Sequence, residues 1–522
     1  MIQIINDMNK EYGFNYGIDM LTASRALAIS RGELKGILND RSREEVRKSS
    51  RYVETIAQSG KAVYGINTGF GPLCTTMISS EDTRKLQSNI LKSHAVGVGK
   101  FIDVELSRIM LVLKLHALSK GYSGIQEATL DRMIWHLETD AIPLIPEQGS
   151  VGASGDLAPL SHLFLPLIGL GKVYYKGEVI PAGTFLKEQN VEPLSLSAKE
   201  GLALINGTQF MAAHGVKAVE RLHNLLTNAD IISAMMIEGL KGSEKPFDEK
   251  LHQLRPYTGN IEVASNIRTL LKNSEIVRSH ADCSKVQDPY SLRCIPQVHG
   301  ASRDAYAHLK KTVEIEINSV TDNPVVFSET SAISGGNFHG QPIALPLDYA
   351  CLAASEIGNI SDRRIYLSLE GNTPGLPKLL MKETGLNSGL MILQYTSAAL
   401  ASENKGLCFP SSADSIPTSL GQEDHVSMGS IGARKLHQVI ENVEKILGIE
   451  LFCAAQAMDY HAPLKSGKVL EAVHRFVRSK VDHIEEDQIM HDMMQVTIDM
   501  VKDGSLLKVA QEAVSIEQDH LF

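Results

Sequence analysis

Hydrophobic residues recur with helical period over long stretches of this chain, and that narrows the folds open to it. Residues 302 to 320, 347 to 369, 390 to 405 and 428 to 458 carry the pattern, and Ser197 with Glu200 forms a capping box before a further run to about residue 238. A shorter stripe of Leu106, Ile109, Met110, Leu113 and Ala117 fills residues 103 to 119 and stops at Gly121. Several of these segments exceed the usual length of a globular helix. Rods of that length pack side by side, so the pattern predicts a mainly α protein built as an elongated bundle. Faces this apolar are more easily buried between subunits than within one. The clearest strand signal is Lys172 to Ile180, where Val173-Tyr174-Tyr175 and Glu178-Val179-Ile180 flank Lys176-Gly177 as a hairpin. A change near residue 200 from mixed loops to long helices divides the chain into a smaller mixed N-terminal domain, residues 1–200, and a long-helix region, residues 201–522.

Composition excludes several classes. Apolar residues make up 43% and charged residues 21% of the 522, as in soluble globular proteins, and the net charge is -10. Nucleic acid is not expected as a partner, because phosphate binding needs a clustered basic face. No window approaches the roughly 20 apolar residues that span a bilayer, so no membrane partner is expected. The six cysteines form no Cys-x-x-Cys pair, which fits reduced thiols and a cytoplasmic location. The 18 histidines include no His-Glu-x-x-His and no finger-spaced Cys-His set, so no metal is expected, and there is no Gly-x-Gly-x-x-Gly or Walker-type loop.

The chemistry is concentrated in Gly-Ala-Ser-Gly-Asp-Leu-Ala-Pro-Leu, Gly152 to Leu160. If the Gly155 nitrogen attacks the Ala153 carbonyl carbon and two waters leave, Ala153-Ser154-Gly155 becomes a five-membered imidazolone. Its exocyclic methylene, formerly the Ser154 side chain, is electron-poor and can accept an amine. Only glycine at the nitrogen and a small residue at the carbonyl allow so close an approach. The plain alternative is a helix start, with Ser154 or Asp156 as cap, Pro159 in the first turn and an apolar run to Leu170. A bare Ala-Ser-Gly triplet carries little weight; the nine-residue string is far more specific.

That string, with Tyr64-Gly65-Ile66-Asn67-Thr68-Gly69-Phe70-Gly71 upstream, resembles the ammonia-lyases and aminomutases that carry a self-made methylidene-imidazolone (MIO). The similarity continues through Leu202 to Gln209, Gln287 to Gln297, Gly335 to Gln341, Gly385 to Lys405 and Gln422 to Met428, nearly the whole chain. It implies a fumarase/aspartase-like helical bundle, MIO as the only prosthetic group, an amino acid substrate, and a homotetramer whose active sites are each assembled from three subunits. It also implies roles residue by residue. Tyr64 is implicated in taking the β-proton, with Tyr290 as a second candidate. Ser93 and His94 contact the substrate side chain. Asn206 lies beside the prosthetic group and the substrate's carboxylate or amine, and Phe338 packs on the imidazolone. Asp156 either assists cyclisation or caps the helix. Gln287, Tyr290 and Arg293 are matched together, and a guanidinium is the natural bidentate clamp for a carboxylate. Glu423 is assigned to the substrate ring, because a carboxylate can bind an imidazole N–H, a contact a benzene ring cannot return.

Together these residues point to elimination of ammonia from L-histidine to give trans-urocanate, the first step of histidine breakdown. Tyrosine elimination or amino-group migration on the same scaffold is the alternative, because Ser-His pairs also occur in some tyrosine lyases and His299 stands where a less polar residue is expected. Amine or imidazole attack on the methylidene both stay open. A non-catalytic helical assembly protein predicts an uncyclised tripeptide. A fumarase- or aspartase-type lyase ranks low without a Gly-Ser-Ser-x-Met-Pro loop.

Overall fold

The computed structural model describes residues 13–59, 62–69, 71, 78–281 and 286–514. Phe70, and Cys74 and Cys283 among the six cysteines, lie outside the described residues. The chain separates into two compact units, residues 1–218, 309–347 and 410–434, and residues 219–308, 348–409 and 435–522. The linear division expected at residue 200 therefore stands against units that are discontinuous in sequence. Each of their internal boundaries falls inside one of four long helices, Gln209–Gly239, Ile295–Glu316, Gln341–Leu369 and Gly429–Asp459, or just after the helix Met391–Leu407.

In the first unit the helix Val104–Leu118 is buried on all sides from Met110 to Leu118, Lys114 and His116 included. The expected stripe was only one side of a central core helix. The hairpin forms as read, Lys172–Tyr175 against Glu178–Pro181, and Lys176 and Gly177 at its turn both have positive φ, the twist that two-residue hairpins favour. Ile142–Pro143 adds a third strand. Beneath the sheet, Val173, Ala182, Phe185 and Leu186 form a small core with Trp135.

Half of the expected capping box is present, with the Ser197 N–H donating to the Glu200 carboxylate at 2.6 Å. The single run to residue 238 is not. The chain makes a short helix, Glu200–Ile205, breaks at Asn206 to Thr208, and restarts as Gln209–Gly239. Asn206 is extended (φ -87°, ψ 130°) and Gly207 has φ +128°. Asn206 is thus not a mid-helix amide; it sits in a gap whose polar backbone is turned toward other segments.

Long helices dominate the second unit. Buried in it, Asp230 accepts from His299 Nδ1 at 2.8 Å, Arg303 at 2.6 Å and Asn266 at 3.0 Å, and Arg364 pairs with Glu450. The unexpectedly polar His299 is therefore matched to a buried carboxylate. Tyr349, Leu352 and Tyr366, together with Glu356, Asn359 and Arg363, follow a three- and four-residue spacing along one exposed face of Gln341–Leu369. Among the described residues no helix is long and apolar enough to cross a membrane.

Burial keeps two histidines of the first unit neutral, pushing His116 and His136 down to about 4. An unfolded histidine takes its proton near pH 6.5, whereas these do not until near 4. Folded-state stability is therefore lost as pH falls from about 6.5 to about 4, by at most roughly 3 kcal/mol for each residue. Urea midpoints measured across that window should drop, and His136→Gln should flatten the decline; an unchanged slope in the variant would contradict this origin.

Candidate active site

The Ala153-Ser154-Gly155 segment is a succession of bends between the strand Pro146–Gln148 and the helix Leu157–Phe164. Gly152 and Gly155 have φ +68° and +78°. A Cβ on Gly155 would drive into the Gly207 carbonyl oxygen, and one on Gly152 into the Ser427 hydroxyl. Both positions therefore require glycine twice over, for backbone conformation and for space.

The break at Asn206 to Thr208 clasps this segment. Asn206 Nδ2 and the Gly207 N–H both donate to the Ser154 carbonyl oxygen, at 3.1 and 3.2 Å, and the Asp156 N–H donates to the Gly207 oxygen at 2.7 Å. Two donors on one carbonyl polarise it, so it can take up negative charge from any group conjugated with it. Asn206 Oδ1 is buried without a hydrogen-bond partner among the described residues, an acceptor suited to an incoming amine.

Asp156 does not cap the helix that follows it. Its carboxylate instead accepts from the Phe210 and Met211 N–H groups, at 3.1 and 3.0 Å, and from the Ser150 hydroxyl at 2.8 Å. It thus caps the restarted helix Gln209–Gly239 and ties that helix to the tripeptide loop. Burial pushes the Asp156 carboxyl up to about 7, while those three donors pull it down. Behind the break, Lys114 donates to the Asn206 carbonyl oxygen. Nearby, Lys199 is ion-paired with Asp322 at 2.7 Å and donates to the Ser123 oxygen at 2.8 Å.

On the outer side, the Ser154 hydroxyl donates to Glu423 Oε1 at 3.0 Å. The other carboxylate oxygen accepts from Thr418 and Ser419 hydroxyls at 2.7 and 3.0 Å, which fixes its orientation. His94 is the last residue of the helix Ser80–His94, and its Nδ1 lies 2.9 Å from the Ser93 hydroxyl. Burial lowers its affinity for a proton, opposed by the Ile90 backbone and the charge of Glu423, so His94 and Glu423 share one electrostatic environment. Tyr64 is half-buried, and its hydroxyl accepts from the Gly71 N–H at 3.4 Å. Ala153 packs with Val151, Val426 and Met428. Phe338, expected against the tripeptide, is half-buried on a turn and is not part of that apolar cluster; its neighbour His339 stacks on His425.

The remaining three candidates gather in the second unit. Arg293 lies 4.5 Å over the Tyr290 ring and donates to the Asp288 oxygen at 2.9 Å, so its guanidinium plane is fixed. Gln287 and Arg293 line a cavity of about 500 Å³ whose cations, Lys241, Lys245, Arg278 and Arg293, outnumber the acids Glu244 and Asp288, a net positive surround suited to a carboxylate. Tyr290 is 70% exposed.

Of the residues proposed from sequence, Asn206 and Glu423 are each hydrogen-bonded to Ser154, whereas Lys114, the capping of the restarted helix by Asp156 and the Thr418–Ser419 support of Glu423 went unread. A signal existed for Lys114, a lysine inside the apolar run Met110 to Leu118. Among the described residues no group of three or more His, Cys, Asp or Glu side chains could hold a metal ion.

This architecture has relatives. Residues 21–479 match the family model for aromatic amino acid lyase. The chain is 46% identical to a histidine ammonia-lyase of Myxococcus xanthus, covering 95% of this chain and 98% of that one, and 49% identical to one of Sorangium cellulosum, covering 90% and 94%. Among solved structures, histidine ammonia-lyase from Trypanosoma cruzi superposes with TM-score 0.88 at 39% identity over 97% of this chain and 96% of that one. Tyrosine aminomutase from Streptomyces globisporus does so with TM-score 0.92 at 33% identity over 98% and 100%. The chain belongs to the aromatic amino acid lyase family and is an enzyme that breaks a carbon–nitrogen bond.

Proposed function

We propose that this chain eliminates ammonia from L-histidine to give trans-urocanate, using an MIO group formed from Ala153, Ser154 and Gly155. The observation that carries the choice of substrate is Glu423. Its Oε1 has one donor among the described residues, the Ser154 hydroxyl, and ring closure removes that hydroxyl. A fixed carboxylate oxygen is then left facing the site without a partner, which suits a ring with a donor, such as an imidazole N–H, and is costly beside a bare benzene ring. The names of the histidine ammonia-lyase relatives point the same way.

The tripeptide's surroundings fit the group. Gly155 has no room for a side chain, the Ser154 carbonyl already has two donors, and Asn206 Oδ1 is an unused buried acceptor. MIO supplies an electrophilic methylidene for the substrate, making the amine a better leaving group. Asn206 Oδ1 receives the amine's N–H, Arg293 holds the carboxylate, His94 and Glu423 orient the ring, and Tyr64 or Tyr290 takes the β-proton. A phenol serving as base needs neighbours that favour its phenolate, and the Gly71 N–H on the Tyr64 oxygen is one such donor.

Tyr64 and Ser154 belong to one unit of the chain, Tyr290 and Arg293 to the other. The proposed site takes them from different subunits of a homotetramer, with the exposed face along Gln341–Leu369 as one of the surfaces between copies. Three of the thiols, Cys351, Cys408 and Cys453, are buried and in no disulfide, which suits the reducing cytoplasm as its location.

Equal amounts of L-histidine and L-tyrosine offered to the purified protein should give urocanate as the main product; coumarate or a β-amino acid would transfer the assignment to the tyrosine reading. Glu423→Gln should lower kcat/KM for histidine by about 10- to 100-fold, the worth of a hydrogen bond to a charged group, and should affect tyrosine much less. An equal loss on both substrates would remove Glu423 from ring recognition.

A further inference from the structure

Lys114 is unused by the reading above, yet it lies directly behind the clasp. It is 1% exposed on a helix whose neighbours Leu111, Leu113, Leu115 and Leu118 are all buried aliphatics. An amine in such a place requires a polar partner. Asp322 is already paired with Lys199, and the Asp156 carboxylate is taken by two backbone donors and a hydroxyl. Lys114 Nζ bonds to a peptide oxygen, that of Asn206, with Gln209 Oε1 more distant at 3.5 Å.

The identity of that oxygen matters. The Asn206 carbonyl and the Gly207 N–H are the two ends of a single peptide unit, and the Gly207 N–H donates to the Ser154 carbonyl oxygen. A donor on the oxygen of an amide withdraws electrons from its nitrogen and makes its N–H a stronger donor, so bonds in such a chain reinforce one another. Lys114 N–H to Asn206 C=O, then Gly207 N–H to Ser154 C=O, is a relay of two hydrogen bonds through one rigid group. The Asn206 side chain supplies a separate, parallel donor to the same oxygen. After ring closure the Ser154 carbonyl is conjugated with the methylidene, so whatever pulls on its oxygen raises the electron demand at the carbon that meets the substrate.

We propose that Lys114 is a positioning residue that acts through the 206–207 peptide to polarise the Ser154 carbonyl and so sets the reactivity of the methylidene. The proposal rests on the MIO reading, and its test separates the two. Wild type, Lys114→Met and Lys114→Gln are purified, and intact mass reports whether two waters have been lost. Each protein is then exposed, without substrate, to a small thiol. The sulfur bonds to the methylidene carbon, the alkene electron pair passes into the ring and takes a proton, and the mass rises by one thiol.

The relay predicts a two-water deficit in all three proteins, thiol addition slowed about tenfold in Lys114→Met and less in Lys114→Gln, which retains a donor. With carbonyl-labelled serine, the infrared band lost in Ser154→Ala should lie at higher frequency in Lys114→Met than in wild type. On histidine, kcat should fall while KM holds. Wild-type rates of thiol addition in both variants would overturn the proposal. So would a linear tripeptide in both, since the lysine would then act in ring closure rather than on the finished ring. A wild-type protein without the deficit would instead overturn the MIO reading itself.

Discussion

Ser154→Ala should leave the protein folded, abolish the two-water deficit in the peptide spanning residues 150 to 160, and lower kcat by about three orders of magnitude or more. The magnitude follows from the chemistry. The β-proton of histidine is barely acidic and its amine is a poor leaving group, so a site that only binds and orients lacks the electrophile that makes departure feasible. The fold should survive because among the described residues the Ser154 side chain makes one hydrogen bond, to a partly accessible carboxylate, while the Ser154 carbonyl keeps its bonds to Asn206 and Gly207 in the variant. Circular dichroism and a thermal melt report the fold, and peptide mass reports the ring. Wild-type turnover from an intact serine-free tripeptide would end the MIO reading.

Arg293→Gln should cost a comparable amount by a different route. The guanidinium is held by the Tyr290 ring and the Asp288 oxygen, and its terminal nitrogens have no hydrogen bond among the described residues. Removing a charged partner from a desolvated carboxylate costs about 2–5 kcal/mol, or roughly 30- to 5000-fold in kcat/KM. The more informative result comes from mixing. If Ser154 and Arg293 of one site come from different chains, co-assembled Ser154→Ala and Arg293→Gln subunits include sites lacking neither residue. At equal proportions about a quarter of wild-type activity should return, since each site draws its two contributors independently. If both residues serve within one chain, no mixture recovers activity, and the proposed sharing of sites between subunits fails.

How much of this was readable in the residue order depends on range. Helical period is a local property, so the segments at 390 to 405 and 428 to 458 appear within a few residues of their expected ends, and that at 347 to 369 ends where expected but begins earlier, at Gln341. The Lys176-Gly177 turn was equally local, because its conformation is decided by two residues. The break at Asn206 was not. Residues 200 to 238 keep an apolar pattern throughout, and it is partners supplied by distant segments, the Ser154 oxygen, the Asp156 carboxylate and the Lys114 amine, that make stopping and restarting favourable. For the same reason Asp156 read as a cap for its own helix, while the backbone groups it caps are more than fifty residues away. Family resemblance supplied Asn206 and Glu423 where periodicity could not, and neither approach exposed Lys114, whose importance lies in which peptide group its nitrogen meets.

The Ser154–Glu423 bond has a further bearing on how the enzyme matures. Its partners are 269 residues apart, and the Met428 N–H and Ser430 hydroxyl also reach back, to the Val151 and Ser150 oxygens. At 5–20 residues per second, a ribosome needs roughly fifteen seconds to a minute to deliver the second half of this cradle after the first has emerged. On the MIO reading, a ring closure that draws on this cradle leaves the nascent tripeptide as ordinary polypeptide until then, and a chain released before about residue 430 would carry the full motif without forming the electrophile.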